Sequence, residues 1–295
     1  AAAAMAQIEV LPASDRVAAV DARRLLAEHP APAKPGTLRS FVVCSEPRIA
    51  VVPGFLSEGE CRHLRELAEG YWTRSLVGAR GPSEGAPAGP GAAAVYSKEA
   101  TTRTSSSCML RPSQTALVDR VERRLAGLAG LPIDQLERLV VVHYAPGEQF
   151  TEHHDGKFRP ATIFVYLNDL PEGDGGETFF PHLGLSFVPR AGCAVMWPNA
   201  LPNGREDSRL VHAGRAPATG VKYGVNAFFN VERMRLVDPP EAALPLADAF
   251  SVDVRGLAGE ASGGDGRIRT FSFDTSPEIV AVPGLASADD AAHLL

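Results

Sequence analysis

Between Leu139 and Val231 the chain is a series of short apolar segments, LVVVHYA, ATIFVYL, ETFF, LSFV, CAVMW and VKYGVNAFFNV, punctuated by Gly, Pro, Asn and Asp. Runs of this length, rich in Val, Ile, Phe and Tyr and closed by breakers, are strands. Two helical patterns precede them. In the first, Ser57 is the N-cap and Glu60, three residues on, completes a capping box. In the second, which begins near Ser113, Leu117, Val118, Val121, Leu125 and Leu128 recur at helical spacing, and Gly130 stands where the helix should stop. Two helices followed by closely spaced strands predict an α+β chain, mainly β, built as a sandwich or barrel backed by helices.

Flanking this block the texture changes. Residues 1–36 are rich in Ala and Pro and are expected to be flexible, apart from a helical pattern around Val17 to Leu26. GARGPSEGAPAGPGAAA, from Gly78 to Ala94, holds too many breakers for a helix or strand interior and reads as a long surface loop. The domain is therefore placed at 37–235, with a helical part at about 56–138 and a barrel at about 139–231. Residues 236–266 read as a linker. After it the beginning of the domain recurs: IRTFSFDTSPEIVAVPGLAS, from Ile268, aligns without gaps on LRSFVVCSEPRIAVVPGFLS, from Leu38, at a constant spacing of 230 residues. Self-similarity of this kind marks duplicated units, so 267–295 is expected to be the truncated start of a second copy, covalently linked to the first.

Composition excludes several functions. A net charge of -6 argues against a nucleic-acid binder, which needs a basic surface to neutralise phosphates. No membrane segment and no secretory leader are read from the sequence. Cys44, Cys61, Cys108 and Cys193 have no C-x-x-C spacing and are expected to be buried thiols, with one or two disulfides as the alternative.

One constellation carries chemistry. In the strand ending QFTEHHDG, side-chain alternation sends His153 and Asp155 to one side and His154 to the other, so that one cation can be gripped by an imidazole and a carboxylate. His212, on a later strand, is the candidate third ligand. Two His and one carboxylate form the facial set that suits non-haem Fe(II) and leaves three positions open. Lys222 follows His212 by ten residues within an apolar strand, where an unpaired ammonium is costly unless an anionic ligand meets it. Tyr144, Tyr166 and Thr178 are uncharged donors on neighbouring strands.

These residues fall in an order that resembles the prolyl 4-hydroxylases. The shared motifs are Tyr144-x-x-Gly147-x-x-Phe150-x-x-His153-x-Asp155, Tyr166-Leu167-Asn168, Gly175-Gly176-Glu177-Thr178-x-Phe180-Pro181, and His212 with Lys222, preceded by PGFLSEGEC and Arg103-Thr104-Ser105. The resemblance runs from about Pro47 to Val231 and implies a double-stranded β-helix, or jelly-roll, barrel with supporting N-terminal helices. It implies Fe(II) on His153, Asp155 and His212, with 2-oxoglutarate and O2 as cosubstrates and L-ascorbate as reductant. It further implies that Lys222 and Thr178 hold the distal carboxylate, with Tyr144 lining the cosubstrate pocket and Tyr166 beside it. Arg103, Ser105 and Arg159 match positions near a peptide groove. The implied partner is a proline-containing peptide and the products include succinate and CO2; a secretory lumen is the compartment the resemblance suggests. Peptidyl lysine as substrate, or a silent peptide-binding repeat, are the alternative readings. After Asp155 only GKFRP precedes the next strand, so the groove is expected to be open, and Tyr223, Phe228 and Asn230 stand where the family usually has other residues.

Overall fold

The computed structural model describes residues 7–10, 19–29, 38–75, 77–78, 96–98, 101–235, 271–275 and 278–281. The chain divides into two compact units, Ala1–Val237 and Asp238–Leu295. Of the expected loop at 78–94, Gly78 ends a short strand and the rest lies outside the described residues, as does the whole of the expected linker at 236–266.

The first unit begins with β1 (Gln7–Val10) and α1 (Ala22–Glu28), then the hairpin β2 (Arg39–Ser45) and β3 (Arg48–Val52), and α2 (Glu58–Ala68). Short strands follow, β4 (Thr73–Arg74), β5 (Val77–Gly78), β6 (Tyr96–Lys98) and β7 (Ser106–Met109), before α3 (Ala116–Ala129). The barrel strands are β8 (Val140–Tyr144), β9 (Phe150–His153), β10 (Ala161–Tyr166), β11 (Thr178–Phe180), β12 (Leu185–Phe187), β13 (Ala194–Pro198), β14 (His212–Gly214) and β15 (Lys222–Phe229). They form a nine-stranded sheet, in the order β1-β2-β3-β13-β10-β15-β8-β7-β4, and a four-stranded sheet, β12-β11-β14-β9. This is the expected jelly roll, mainly β with helices against one side.

Alternation along the central strands sorts side chains between two cores. Ile163 and Val165 of β10 and Val225, Ala227 and Phe229 of β15 pack with Leu64 of α2 and Val118, Val121 and Leu125 of α3. Their neighbours Phe164 and Tyr166 turn inward, where they meet Phe180, Phe187 and Trp197. Both faces of β10 are therefore covered, which explains why its sequence is an unbroken apolar run rather than an alternating one.

The helices end as the sequence predicts. Ser57 and Glu60 close the capping box of α2. Thr115 caps α3, and Gly130 terminates it in the left-handed region at φ 66°. The domain edge near residue 235 has a physical cause: Arg235 reaches back to the fully buried Glu122 of α3 at 2.7 Å and donates to the backbone oxygens of Leu136 and Glu137. An ion pair this deep is intolerant of losing one partner.

In the N-terminal segment the helical pattern read around Val17 to Leu26 is present as α1, and it is anchored to the barrel by contacts that composition did not announce. Val20 pairs with Phe187, Asp21 caps α1, and the Arg190 guanidinium clasps the Asp21 carboxylate, holding its pKa below the usual range. Gln7–Val10 adds a parallel strand to β2. Composition concealed these anchors because they are long-range contacts. Cys61, Cys108 and Cys193 are buried free thiols, and Cys44 is a half-buried one. No helix among the described residues is long and apolar enough to cross a membrane.

In the second unit, β16 (Phe271–Thr275) and β17 (Glu278–Ala281) form an antiparallel hairpin. Its register pairs Phe271 with Ala281, Ser272 with Val280, Asp274 with Ile279 and Thr275 with Glu278. In the first unit β2 and β3 pair Phe41 with Val51, Val42 with Ala50, Cys44 with Ile49 and Ser45 with Arg48, with the irregularity at the same point.

Leu64 is fully buried between α2 and the sheet. Leu64→Ala should destabilise the fold by about 2–5 kcal/mol, the range for leucine truncation in a close-packed core. Guanidinium unfolding followed by far-UV circular dichroism measures the change.

Candidate metal centre and anion pocket

The pairing of β9 with β14 sets His153 directly opposite His212. Their ring centroids lie 4.4 Å apart. The strand stops at His153, so Asp155 is delivered by the turn that follows rather than by continued strand alternation. Its Oδ1 lies 3.7 Å from His153 Nε2 and its Oδ2 3.7 Å from His212 Nε2. One donor atom from each of the three falls within 4.8 Å of the others, the only such group of His, Cys and carboxylate side chains among the described residues.

Both imidazoles are preset for a cation. His153 Nδ1 faces the Thr151 carbonyl at 2.8 Å and His212 Nδ1 faces the Leu210 carbonyl at 3.0 Å. A carbonyl can only accept, so each Nδ1 carries the hydrogen and each Nε2 offers its lone pair toward the cluster. Burial, then the neighbouring His212, lower the His153 pKa to about 3, which keeps the ring neutral. Burial alone would raise the Asp155 pKa, but His212, His153, Arg159 and the Thr162 hydroxyl together hold it below the usual carboxylate range. Two neutral imidazole nitrogens and one carboxylate fit Fe(II) as a facial set; a structural zinc would call for four closed ligands.

Aromatic rings fix the metal-binding faces. Phe150 stacks on His153 at 3.4 Å, and the Arg103 guanidinium lies 4.7 Å from the other ring's centroid, that of Phe150. Phe180 and Trp197 enclose His212 at 5.2 and 4.9 Å.

Lys222 enters the same cavity from the facing sheet. Its strand is not a hydrogen-bonded neighbour of His212's strand but lies between β10 and β8 in the other layer. It is 1% exposed, and among the described residues its ammonium has no ion-pair partner. The rings of Tyr144, Phe164 and Tyr166 surround Nζ at 5.0, 5.1 and 5.5 Å. Burial pulls its pKa down to about 7, against the smaller opposing effect of Glu177. Gly176 takes the left-handed φ of 75° beside it, where a Cβ would stand 2.4 Å from Leu170 Cδ1 but only in ordinary contact, 3.6 Å, with Lys222 Cδ.

The other expected residues divide into those that line the cavity and those behind it. Tyr144, Thr178 and Arg103 line it with the three ligands and Lys222. Tyr166 sits behind: its hydroxyl lies 2.8 Å from Thr178 Oγ1 and 2.9 Å from the Phe187 carbonyl, and it positions the Thr178 strand. Ser105 is buried and donates to Ser75 Oγ. Arg159, expected at a peptide groove, is 6% exposed and forks onto Glu137 with two 2.8 Å bonds while a third reaches the Asp155 backbone carbonyl. Its interior pairing comes from a partner 22 residues upstream, which spacing cannot reveal. Phe150, Phe164, Trp197, Gly214 and Asn226 also line the cavity and were not singled out from the sequence as binding residues; Phe228, noted among the departures from the family pattern, lines it too. Thr162 and Asn199 were missed too. A Thr in an apolar strand and an Asn after a Pro carry no local signal of their own.

Residues 139–230, which include the three ligands and Lys222, match the 2OG-Fe(II) oxygenase superfamily. Prolyl 4-hydroxylase 5 of Arabidopsis thaliana is 29% identical over 224 residues, 66% of this chain and 72% of that protein. Probable prolyl 4-hydroxylase 11 of the same plant is 32% identical over 189 residues, covering 59% of this chain and 64% of the relative. Among solved structures, the viral collagen prolyl hydroxylase of Paramecium Bursaria Chlorella virus-1 in its 2OG complex aligns with a TM-score of 0.48 at 24% identity, over 63% of this chain and 97% of that one.

A lysine whose folded pKa is depressed penalises the folded state. Below pH 7 both folded and unfolded chains hold the proton and the penalty is complete; between about 7 and 10.5 the unfolded chain binds more protons, so stability rises with pH. Lys222→Met should therefore stabilise the ligand-free protein by on the order of a few kcal/mol at pH 7 or below, with the advantage shrinking toward pH 10.5. Parallel urea titrations of the two proteins across this range test the sign.

Proposed function

We infer, from a barrel whose residues 139–230 match the 2OG-Fe(II) oxygenase superfamily, that this chain is an Fe(II)- and 2-oxoglutarate-dependent dioxygenase that hydroxylates proline in peptides. One observation carries the reading: three metal-ligand atoms within 4.8 Å of one another share a cavity with a buried, unpaired ammonium. The first holds a redox metal on one face, and the second calls for an anion within reach of it.

With 2-oxoglutarate and O2, bound Fe(II) supplies the oxidative decarboxylation to succinate and CO2 and the hydroxylation of an unactivated C–H bond. The chain's residues prepare that chemistry. His153, Asp155 and His212 hold the metal on one side only. Lys222 pairs with the distal carboxylate of 2-oxoglutarate, helped by the Thr178 hydroxyl, and Tyr144 lines the pocket beside it. Phe164, Trp197 and Phe228 keep water out of the cavity. Arg103, half-buried at the cavity and stacked on Phe150, is the side chain best placed to hold a peptide carbonyl at the mouth. L-Ascorbate is the expected reductant for enzyme oxidised in uncoupled turnover.

A second copy of the domain is part of the proposal. It is supported by the gap-free recurrence of Leu38–Ser57 at Ile268–Ser287 and by identical pairing registers, irregularity included, in the β2–β3 and β16–β17 hairpins. Coding sequence downstream should then contain a further His-x-Asp, His and Lys in this order.

Succinate release by the purified chain with Fe(II), ascorbate and Pro-rich peptides should be abolished by His212→Ala; near-native turnover in that variant would remove the metal assignment. Mass spectrometry of the products, with Lys-containing peptides as the comparison, identifies the hydroxylated residue. The 2-oxoglutarate KM should be lowest below about pH 7, where Lys222 is protonated before the ligand arrives, and should rise up to about tenfold per pH unit above it. Lys222→Met should raise KM at low pH and flatten this dependence.

A further inference from the structure

We propose that Asn199, acting through Thr162, is the positioning device that orients the Asp155 carboxylate for metal binding; the inference rests on the metal site described above. Neither residue lines the cavity or touches a candidate substrate. Both are fully buried. Thr162 Oγ1 lies 2.8 Å from Asp155 Oδ2, and Asn199 Nδ2 lies 2.9 Å from Thr162 Oγ1 and 3.0 Å from the Arg159 backbone carbonyl.

The direction of the chain follows from what each atom can do. Arg159 O can only accept, so the Asn199 atom facing it is the NH2 group and not the amide oxygen. The same nitrogen spends its second hydrogen on Thr162 Oγ1, which therefore accepts from Asn199. A hydroxyl has one hydrogen, and with its acceptor side engaged that hydrogen points at Asp155 Oδ2. One amide thus fixes the hydroxyl rotor, and the hydroxyl fixes the plane of the carboxylate. By holding Arg159 O as well, Asn199 ties the middle and the far end of the short segment between Asp155 and Thr162, in which the Arg159 N–H also donates to the Gly156 carbonyl at 3.1 Å.

This arrangement matters because Asp155 lies beyond the end of its strand. His153 and His212 are aimed by a ladder register and by the backbone carbonyls of Thr151 and Leu210, whereas no ladder aims the carboxylate. Left to rotate, it would present its oxygens to the imidazoles only part of the time, and the cost would appear in metal affinity. Residues that orient a ligand in this way typically contribute 10–100-fold to that affinity.

The test is direct metal binding, measured without turnover. Anaerobic calorimetric titration with Fe(II), and with Co(II) so that the ligand-field absorption reports coordination geometry, is applied to the whole chain and to Thr162→Val, Thr162→Ser, Asn199→Asp and His212→Ala. Thr162→Val keeps the shape and removes the hydroxyl; it should weaken binding about 10-fold or more and alter the Co(II) spectrum, while the metal-free melting temperature stays close to that of the parent. Thr162→Ser should restore both. Asn199→Asp, which replaces the donor with an acceptor, should behave as Thr162→Val does. If Thr162→Val fails to fold, Thr162→Cys, a weak donor of similar size, takes its place with the same expected loss. Parent-like affinity and spectrum in a folded Thr162→Val or Thr162→Cys would overturn the positioning role while leaving the site intact, provided His212→Ala loses the metal. Undiminished binding in His212→Ala would overturn the site itself, and this inference with it.

Discussion

The pairing of His153 with His212 across β9 and β14 is the contact on which the chemistry depends. The two residues are far apart in sequence, and only the antiparallel register of a three-residue strand against a four-residue one makes them neighbours. Strand periodicity makes the arrangement unforgiving. A slip of one residue would turn either imidazole from the cavity to the opposite face. The remaining members of the four-stranded sheet hold that register. β11 pairs Thr178 with Gly214 on one side and with Phe187 on the other, so the strand that brings Thr178 to the cavity also locks the strand that carries His212.

Opposed to this small sheet is the large one, and the difference between their interiors creates the pocket. The large sheet places Tyr144, Phe164, Lys222, Asn226 and Phe228 toward the cavity and sends the alternate residues into the helix-backed core. Lys222 is the costly member of that set. Elsewhere in the domain, buried cations are matched: Arg235 with Glu122, and Arg159 with Glu137. Lys222 alone among these three faces aromatic rings with no ion-pair partner among the described residues, an arrangement that favours an anion.

Much of the fold was legible in the sequence. Capping residues, helical spacing and breaker-bounded apolar runs are local signals, and α2, α3 and the barrel strands appear where those signals lie. The metal ligands and Lys222 were legible too, because a His-x-Asp pair, a distant His and a Lys in an apolar strand are each unusual choices for their surroundings. Less legible were β1 and the anchors of α1, which come from β2, Arg190 and Phe187 rather than from local composition. Arg159 could be read as an exposed groove residue only while its pairing with Glu137 was unseen.

The sequence by itself determined the alternation that builds two sheets, the helices that back one of them, and the chemical types of the four side chains on which the site is built. It also carried the recurrence at Ile268, whose pairing register repeats that of the first hairpin. Only the tertiary structure decided which sheet Lys222 occupies, that Tyr166, Ser105 and Arg159 stand behind the cavity wall, and that Asn199 and Thr162 stand behind Asp155. The physical reason is the range of the forces involved. Propensity, capping and periodicity act between residues a few positions apart and leave a trace in the local sequence, whereas the direction of a buried hydrogen bond depends on an atom brought in from a distant strand.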